Sequence, residues 1–397
     1  MDVAPIPRWR KLALVFVMFL ITGSFGFIQP FQPLWFTVSG ISRSQIGFIT
    51  GLATATALIV QPILGKISDR IDARRPLMLV AALIACAAYL AYGYVQNLWA
   101  FLGLAILASN GFAYLNAVGG VLVGRLAAAG QGGAGYARYR VWGSVGYVVI
   151  AMGSGLLIRP DPHMTRADLA PIFTYGPWIF FVIALMALLV PDPKRPPAPP
   201  KSVDSDTPKK PPNLANLDRF LLAFGLYTFA LYGATGFLAI YMRQLGATPR
   251  QVTWMFAAGV VCEVLVMSQV GRWTDQHGRK PALALGFILM PLRLLLYIPA
   301  LGPAWVIAVQ SLHGLNFGIV GAVGVALVND VADDTNRGSL QARLGATAGL
   351  SSALGQLVCG WLSQSYSIAV MFAVMSAVGF VAAFLLLTRV KETLPQR

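Results

Sequence analysis

The sequence predicts an all-α polytopic membrane protein with twelve membrane-spanning helices, arranged as two six-helix bundles with both termini in the cytoplasm. Of the 397 residues, 57% are hydrophobic and 11% charged, and the mean hydropathy is +0.67, which lies far from the norms of soluble domains. Apolar windows long enough to cross about 30 Å of hydrocarbon, roughly 20 residues each, recur along the chain. A proline-rich segment divides them six and six.

The windows are separated by short loops that contain glycine, proline or charged residues. The first window follows RWRK without a small-residue cleavage site, so we interpret it as a retained helix and not as a signal peptide. The twelve predicted spans are residues 12–36, 45–67, 76–96, 99–122, 138–158, 171–190, 220–242, 251–273, 281–300, 303–328, 340–362 and 368–388.

The positive charge is concentrated on one side of the predicted membrane. Most of the 30 Lys and Arg residues lie in the two termini and in the loops that follow even-numbered spans. By the positive-inside rule this places the termini in the cytoplasm. The net charge of +15 therefore reflects topology and contact with anionic lipid in a bacterial-type inner membrane, and no nucleic-acid partner is predicted.

A linker and a duplication define the domain organisation. Residues 191–216 contain nine prolines in 26 residues, which predicts a disordered cytoplasmic linker between an N-terminal bundle, 1–190, and a C-terminal bundle, 217–397. An offset of 206 residues aligns Gly40 with Gly246 and Gln45 with Gln251. Duplicated halves around a central cavity are a common architecture of secondary transporters.

The second span of each half ends in a charged loop, GKISDRIDARR at 65–75 and GRWTDQHGRK at 271–280. Both loops resemble the G-x-x-x-D-[RK]-x-G-[RK]-[RK] signature of the major facilitator superfamily, which implies that fold and transport by alternating access. Asp72 and Gln276 depart from the signature. The residues that match it are Gly65, Asp69, Arg70 and Arg74 in the first loop, and Gly271, Asp275, Gly278, Arg279 and Lys280 in the second.

Several separated segments resemble one branch of that superfamily, the lactose, nucleoside and phenylpropionate permeases. They are GFIQPFQPLW at 26–35, ISRSQIG at 41–47, QPILGKISDR at 61–70 and YARYRVWGSVGY at 136–147 in the first half. In the second half, GVVCEV at 259–264, LRLLL at 292–296 and VQSLHGLNF at 309–317 are most similar to the phenylpropionate permease family. The resemblance implies a proton-coupled transporter of a small organic solute.

The same resemblance implies roles for individual residues. Glu263, Arg293 and His313 match the charged residues that lactose permease uses for proton coupling. Asn316 stands where lactose permease has its main proton-carrying glutamate, so the identity of the proton carrier stays open.

The N-terminal half supplies the implied solute-binding residues. Arg140 and Tyr147 match the arginine and the stacking aromatic residue that bind sugar in lactose permease, and Ser144 shares their helical face. The glutamate on the fourth helix of lactose permease has no counterpart here, because LNAVGGVLVGR at 115–125 offers no carboxylate. The resemblance therefore favours an aromatic or other organic solute over a galactoside.

Elementary physics supports a site at the charged residues. At 1.5 Å rise per residue, Glu263, Arg293 and His313 each lie about 15–18 Å from an end of their predicted spans. A lone charge at that depth costs about 2.5–3.5 kcal/mol, so we expect Arg293 to pair with Glu263 beside a watery cavity. A static ion pair that fixes two helices is the alternative, and for Arg140 the alternative is a side chain that extends to the lipid headgroups.

The remaining polar residues of the spans have two interpretations. Gln29, Asn110, Tyr232 and Asn316 either line the solute cavity or form hydrogen bonds between helices.

The predicted function is proton-coupled uptake of a small organic solute by a monomer. A proton-driven efflux antiporter is the alternative, although the fifth span has no proline such as exporters of this superfamily carry there, and a membrane sensor on the same scaffold is a third interpretation. The three cysteines lie singly in apolar spans, and no catalytic or metal-binding constellation is present in the sequence. We therefore expect neither an enzyme nor a cofactor nor a metal site.

Overall fold

The computed structural model describes residues 8–71, 74–128, 132–190, 214–299, 301–333 and 336–394. Within them the chain forms sixteen α-helices, one 3₁₀ turn at Tyr92–Tyr94 and no strand. The helices are α1 Arg8–Ile28, α2 Gln32–Val38, α3 Arg43–Ile71, α4 Arg74–Ala91, α5 Leu98–Ala128, α6 Gly132–Leu156, α7 Arg166–Tyr175, α8 Trp178–Ala187, α9 Leu214–Thr235, α10 Leu238–Gln244, α11 Pro249–His277, α12 Arg279–Tyr297, α13 Pro303–Gln310, α14 Leu312–Val331, α15 Arg337–Ser365 and α16 Ile368–Arg389.

The sixteen helices make twelve spans, as predicted, because four spans are broken into two helices each. The breaks separate α1 from α2, α7 from α8, α9 from α10 and α13 from α14. Within the described residues, ten of these spans are long and apolar enough to cross a membrane. The other two are α15 and α6, and the apolar part of α6, Val141–Leu156, is shorter. The sequence predicted continuous spans at these four positions. Proline, which lacks a backbone N–H, explains two of the breaks, at Pro30 and at Pro177.

The predicted duplication recurs in the helix boundaries themselves. The offset of 206 residues carries α2 onto α10 and α3 onto α11, residue for residue at both ends. Gly40 and Gly246 precede α3 and α11 with φ of 83° and 77°, a conformation that favours glycine. Gln45 and Gln251 each accept a hydrogen bond from the backbone N–H three residues before them, at 2.9 Å, so both helices begin with the same capping arrangement.

Residues 191–213 of the predicted linker lie outside the described residues. The last three linker positions, 214–216, are helical, because α9 begins at Leu214. Asn216 explains this start: its side chain donates to the carbonyl of Lys391 at 3.1 Å and accepts from the N–H of Lys391 at 2.7 Å. The start of α9 is thereby joined to the chain after α16.

The two halves meet at the side opposite the termini, which we call the outer side. There, α3 packs on α15 through glycines: a β-carbon on Gly47 would lie 2.9 Å from the Cα of Gly360, and one on Gly51 would lie 2.8 Å from the carbonyl of Ala353. Toward the cytoplasm a β-carbon on Gly65 or Gly345 would have no described atom within 4 Å. The halves therefore touch at their outer ends and separate toward the cytoplasm.

Replacing Gly47 by leucine is expected to open this outer contact. The added side chain overlaps the backbone of Gln356 and Gly360, and overpacking of this kind costs about 1–3 kcal/mol. A membrane-impermeant maleimide should then label a cysteine placed at Thr50, in a protein lacking its three native cysteines, roughly tenfold faster. Gly345→Leu on α15 is the matched control and should not accelerate labelling; equal labelling in both variants contradicts the proposed outer contact.

Candidate functional site

A cavity of about 260 Å³ lies between the two halves, nearer the outer side. Two of the predicted solute-binding residues, Gln29 and Tyr232, line it, one from each half. The other lining residues are Phe25, Gln32, Pro33, Thr50, Ala53, Thr54, Tyr89, Ala105, Ser109, Phe112, Thr235, Gly236 and Gln356. A pocket at the interface of duplicated halves is where this architecture positions a solute.

Tyr147 supports the cavity wall from behind. It is buried, and its hydroxyl donates to the side-chain oxygen of Gln29 at 3.0 Å. Close packing makes this contact possible, because a β-carbon on Gly26 would lie 2.7 Å from the carbonyl of Tyr147. Tyr147 thus orients a cavity-lining amide and is not itself among the lining residues.

Three other predicted solute-binding residues lie outside the cavity lining. Asn110 is buried and donates to the Thr56 hydroxyl at 3.0 Å and to the Ile106 carbonyl at 2.9 Å, so it joins α5 to α3. Asn316 is fully buried, with its amide 3.0 Å from the hydroxyl of Tyr227. Ser144 is half-buried on α6. For Asn110 and Asn316 the hydrogen-bonding interpretation describes the contacts in this conformation.

Arg140 belongs to α6, but its side chain lies outside the described residues, so its predicted contact with a solute stays a prediction.

Arg293 is fully buried on α12 and faces Gln310, the last residue of α13. Its Nη1 donates to the side-chain oxygen of Gln310 at 3.4 Å, and its guanidinium carbon lies 5.9 Å from the ring centre of Tyr297. Tyr297 also donates to Gln310. The Nε and Nη2 of Arg293 have no hydrogen-bond partner among the described residues.

The guanidinium of Arg293 therefore forms its hydrogen bond with Gln310 in this conformation, and not with Glu263 as expected. The reason lies in the break between α13 and α14, which presents Gln310 to the guanidinium. Two donor nitrogens without acceptors on a buried guanidinium are costly. Arg293 is thus a cation with unused capacity to bind an acceptor.

His313 and Glu263 lie on neighbouring helices that pack without a gap. A β-carbon on Gly314 would overlap the backbone nitrogen of Glu263, and one on Gly318 would lie 3.4 Å from its carbonyl. The Nδ1 of His313 is buried without a hydrogen-bond partner among the described residues. A β-carbon on Gly259, four residues before Glu263, would lie 3.3 Å from the His313 ring and 3.4 Å from the Gln310 amide. The His313 ring and the Gln310 amide thus lie against the turn of α11 that precedes Glu263, and we refer to Glu263, Arg293, Gln310 and His313 together as the cluster.

Aromatic contacts connect this cluster to the cavity. Tyr232, which lines the cavity, meets Phe317 edge to face with ring centres 6.3 Å apart. Phe317 in turn stacks on His313 at 5.0 Å. Two ring contacts therefore connect Tyr232 at the cavity to His313.

Sequence reasoning missed Gln310, Tyr297 and Gln356. Tyr297 lies four residues after Arg293, on the same helical face, and that spacing was a usable signal. Gln310 is a polar residue inside an apolar span. Polarity inside an apolar span is also the observation from which Gln29 was predicted to bind the solute. Gln356 donates to Thr54 of the other half at 3.1 Å, and no local pattern indicates a contact over that separation in sequence.

The second signature loop forms an ion-pair network on the cytoplasmic side. Arg279 binds Asp275 at 2.6 Å and Asp330 at 3.1 Å, and Lys280 donates to the carbonyl of Leu387 at 2.8 Å. In the first loop, Arg70 is exposed and Arg74 is buried, and the side chain of Asp69 lies outside the described residues. A β-carbon on Gly65 or on Gly271 would have no described atom within 4 Å.

Glu392, which no sequence pattern selected, caps the start of α12. Its carboxylate accepts from the N–H groups of Arg279 and Lys280, both at 2.9 Å. Gly278, with φ of 98°, leaves room for it, since a β-carbon there would lie 2.5 Å from the carboxylate. Burial alone would raise the pKa of Glu392, but the backbone N–H donors outweigh it and lower that pKa below its usual 4.5.

Because the folded-state pKa of Glu392 is lowered, its contribution to stability is present above pH 4.5 and is lost as the pH falls through the folded-state value. Glu392→Gln should therefore lower the melting temperature of purified protein at pH 7, and the difference from wild type should shrink below pH 4.5. Asp218→Asn, which removes an exposed pair with Arg343, is the control and should change little. A pH-independent difference at Glu392 contradicts this assignment.

The fold and the cavity together define a membrane transporter of the major facilitator class. A family model described as the MFS_1 like family matches residues 11–374, and the chain belongs to that family. It is not an enzyme.

Among its relatives, the chain is 28% identical to an uncharacterised MFS-type transporter of Mycobacterium tuberculosis over 353 residues, which cover 81% of this chain and 78% of the relative. It is 25% identical to the "Probable 3-phenylpropionic acid transporter" of Escherichia coli K12, covering 95% and 96%. A multidrug resistance efflux pump PmrA homolog of Lactococcus lactis is 23% identical, covering 73% and 72%.

Solved structures share the fold. The nucleoside transporter NupG superposes with a TM-score of 0.74 at 17% identity and covers 95% of this chain and 98% of its own. At this identity the likeness shows the fold alone.

Proposed function

We propose that the protein is a proton-coupled symporter that imports a small organic solute, an aromatic acid, a nucleoside or a sugar-like compound, by alternating access. The contact series from Tyr232 through Phe317 to His313 carries the proposal, because it joins the cavity to the cluster. Coupling requires that the solute and the proton bias the same conformational change.

Glu263 is proposed as the proton carrier, with His313 sharing or orienting the proton. The side-chain amide of Asn316 does not titrate, so Glu263 and His313 are the two groups proposed to bind the proton. Burial raises the proton affinity of a carboxyl group, whereas a nearby guanidinium lowers it. A rearrangement of helices within the C-terminal half, accompanying the rocking of the halves, that brings the unused donors of Arg293 toward Glu263 would therefore release a proton, and movement away would bind one.

Solute binding is proposed at the cavity, with Gln29 and Tyr232 in contact with the solute and Tyr147 holding Gln29 in place. Arg140 and Ser144 of α6 are proposed to complete the site. Proton entry supplies about 2.3 kcal/mol per charge per 100 mV of membrane potential, which drives accumulation of the solute.

The signature loops are proposed to brace the cytoplasmic ends of the helices during rocking, through ion pairs such as Arg279 with Asp330. The protein is further proposed to act as a monomer in a bacterial-type inner membrane, with the chain divided into bundles at 1–190 and 217–397 joined by the cytoplasmic linker.

Uptake into proteoliposomes tests the proposed function. Uridine, 3-phenylpropionate and lactose, one for each solute class, are offered in radiolabelled form with an inward proton gradient. At least one should accumulate above its external concentration, and a protonophore should abolish that accumulation. Efflux coupled to proton entry would instead identify the antiporter, and equilibration without accumulation would contradict coupling.

A further inference from the structure

Hydrogen bonds join the two halves at two places on the outer side. At the first, the Nη1 of Arg43, at the start of α3, donates to the carbonyl of Ser363, near the end of α15, at 2.8 Å. The backbone N–H of Arg43 donates to the side-chain oxygen of Gln364 at 3.0 Å. At the second, the Nη2 of Arg243 on α10 donates to the carbonyl of Met164, before α7, at 3.0 Å. Each bond has its donor in one half and its acceptor in the other.

The contacts of Arg43 satisfy the end of one helix in each half. The first four N–H groups and the last four carbonyls of a helix have no partner within that helix. The N–H of Arg43 is the first of α3, and the carbonyl of Ser363 is among the last four of α15. A cation is also favourable at the C-terminus of a helix. Gln364 thus caps α3, and Arg43 caps α15, each from the opposite half.

The duplicated helix in the second half has no need of this cap. The offset of 206 residues carries Arg43 onto Pro249, the first residue of α11, and proline has no backbone N–H. The second half contributes Arg243 instead, which lies on α10 and binds a loop carbonyl. The two contacts are therefore not copies of each other, and the reciprocal caps belong to the edge where α3 meets α15.

We propose that Arg43, Gln364 and Arg243 form an outer latch that makes the conformation closed to the outside the resting state of the transporter. Opening of the outer side separates donor from acceptor in all three bonds, whereas the bonds of Arg166 lie within its own half. The latch lowers the fraction of molecules open to the outside, and with it the apparent affinity for external solute. The inference rests on the proposed function in taking outer opening as a step of the cycle.

Labelling of a cavity cysteine in intact cells tests the latch. Thr50→Cys, in a protein lacking its three native cysteines, lines the cavity, and its labelling by a membrane-impermeant maleimide scales with the fraction open to the outside. Arg43→Met and Arg243→Met should each raise the labelling rate about two- to tenfold, the effect of losing one or two net hydrogen bonds on an equilibrium. The double variant should show the product of the two effects, since the two contacts share no partner.

Matched variants separate the hydrogen bonds from other effects of substitution. Gln364→Met should label about two- to tenfold faster, whereas Gln364→Glu retains an acceptor for the N–H of Arg43 and should label no faster than wild type. Arg250→Met removes an exposed arginine in the first turn of α11 and should change little. A cysteine at the exposed outer position Gln96, labelled in parallel, corrects each rate for the amount of protein and reagent.

The latch and the proposed function fail separately. Unchanged labelling in Arg43→Met and Gln364→Met, together with faster labelling in Gly47→Leu, overturns the latch and keeps alternating access. An equal increase in Arg250→Met also overturns it, because the effect would then follow from loss of any outer cation. Unchanged labelling in every variant, Gly47→Leu included, rejects outer opening and both proposals with it. If Arg43→Met fails to fold, Gln364→Met decides, and a loss of proton coupling leaves the labelling result untouched.

Discussion

Glu263→Gln is expected to abolish proton-driven accumulation of solute while preserving energy-independent exchange across the membrane. The amide keeps the size of the carboxyl group and the packing of α11 on Gly314, but it does not titrate. Accumulation should fall to the equilibrium value, whereas exchange of labelled for unlabelled solute should stay within about twofold of wild type, a change of about 0.4 kcal/mol at most.

Asp218→Asn on α9 is the matched control, because Asp218 is an exposed partner of Arg343 outside the cluster and outside the signature loops. It should retain accumulation. Undiminished accumulation by Glu263→Gln would remove Glu263 from the coupling role, and loss of exchange together with accumulation would indicate a role in folding or binding instead.

Arg293→Met is expected to separate transport from stability. If Arg293 served only to hold two helices together, loss of its guanidinium would destabilise the protein. The structure instead shows two buried donor nitrogens without partners among the described residues, and replacing buried ionic groups by apolar ones of similar volume is often neutral or stabilising by about 1–4 kcal/mol. The melting temperature should be unchanged or raised, while proton-driven accumulation is lost.

Arg166 provides the comparison for Arg293. Its guanidinium donates to Ser39, Gly93 and Val95 at 3.0–3.1 Å and lies 4.6 Å from the ring centre of Trp35. Arg166→Met leaves these acceptors unpaired and should cost about 1–3 kcal/mol. A larger loss of stability for Arg293→Met than for Arg166→Met would contradict a functional Arg293 with unused donors.

Periodic and local signals predicted the fold. The apolar windows indicated twelve spans, and the aligned glycines and glutamines are explained by turns with positive φ and by matching helix caps. All four breaks inside spans escaped prediction. Pro30 and Pro177 were usable signals for two of them, whereas no proline marks the break between α13 and α14, where the apolar composition is the same on both sides.

Contacts between distant segments limited prediction of the site. Gln29 and Tyr232 were found from polarity alone. The pairing of Arg293 with Gln310 depends on a helix break, and the capping of α12 by Glu392 joins segments more than a hundred residues apart. Neither leaves a periodic trace in the sequence, and charge complementarity alone favoured Glu263 as the partner of Arg293.

Solute-induced proton movement tests the central claim, that solute binding in the cavity and protonation of the buried cluster are coupled. A transported solute is added outside lightly buffered proteoliposomes without an imposed gradient, and the external pH is recorded. Symport predicts alkalinisation of the medium, because protons enter with the solute, and no change in Glu263→Gln. Acidification, or solute entry without any pH change in the wild-type protein, would contradict the claim.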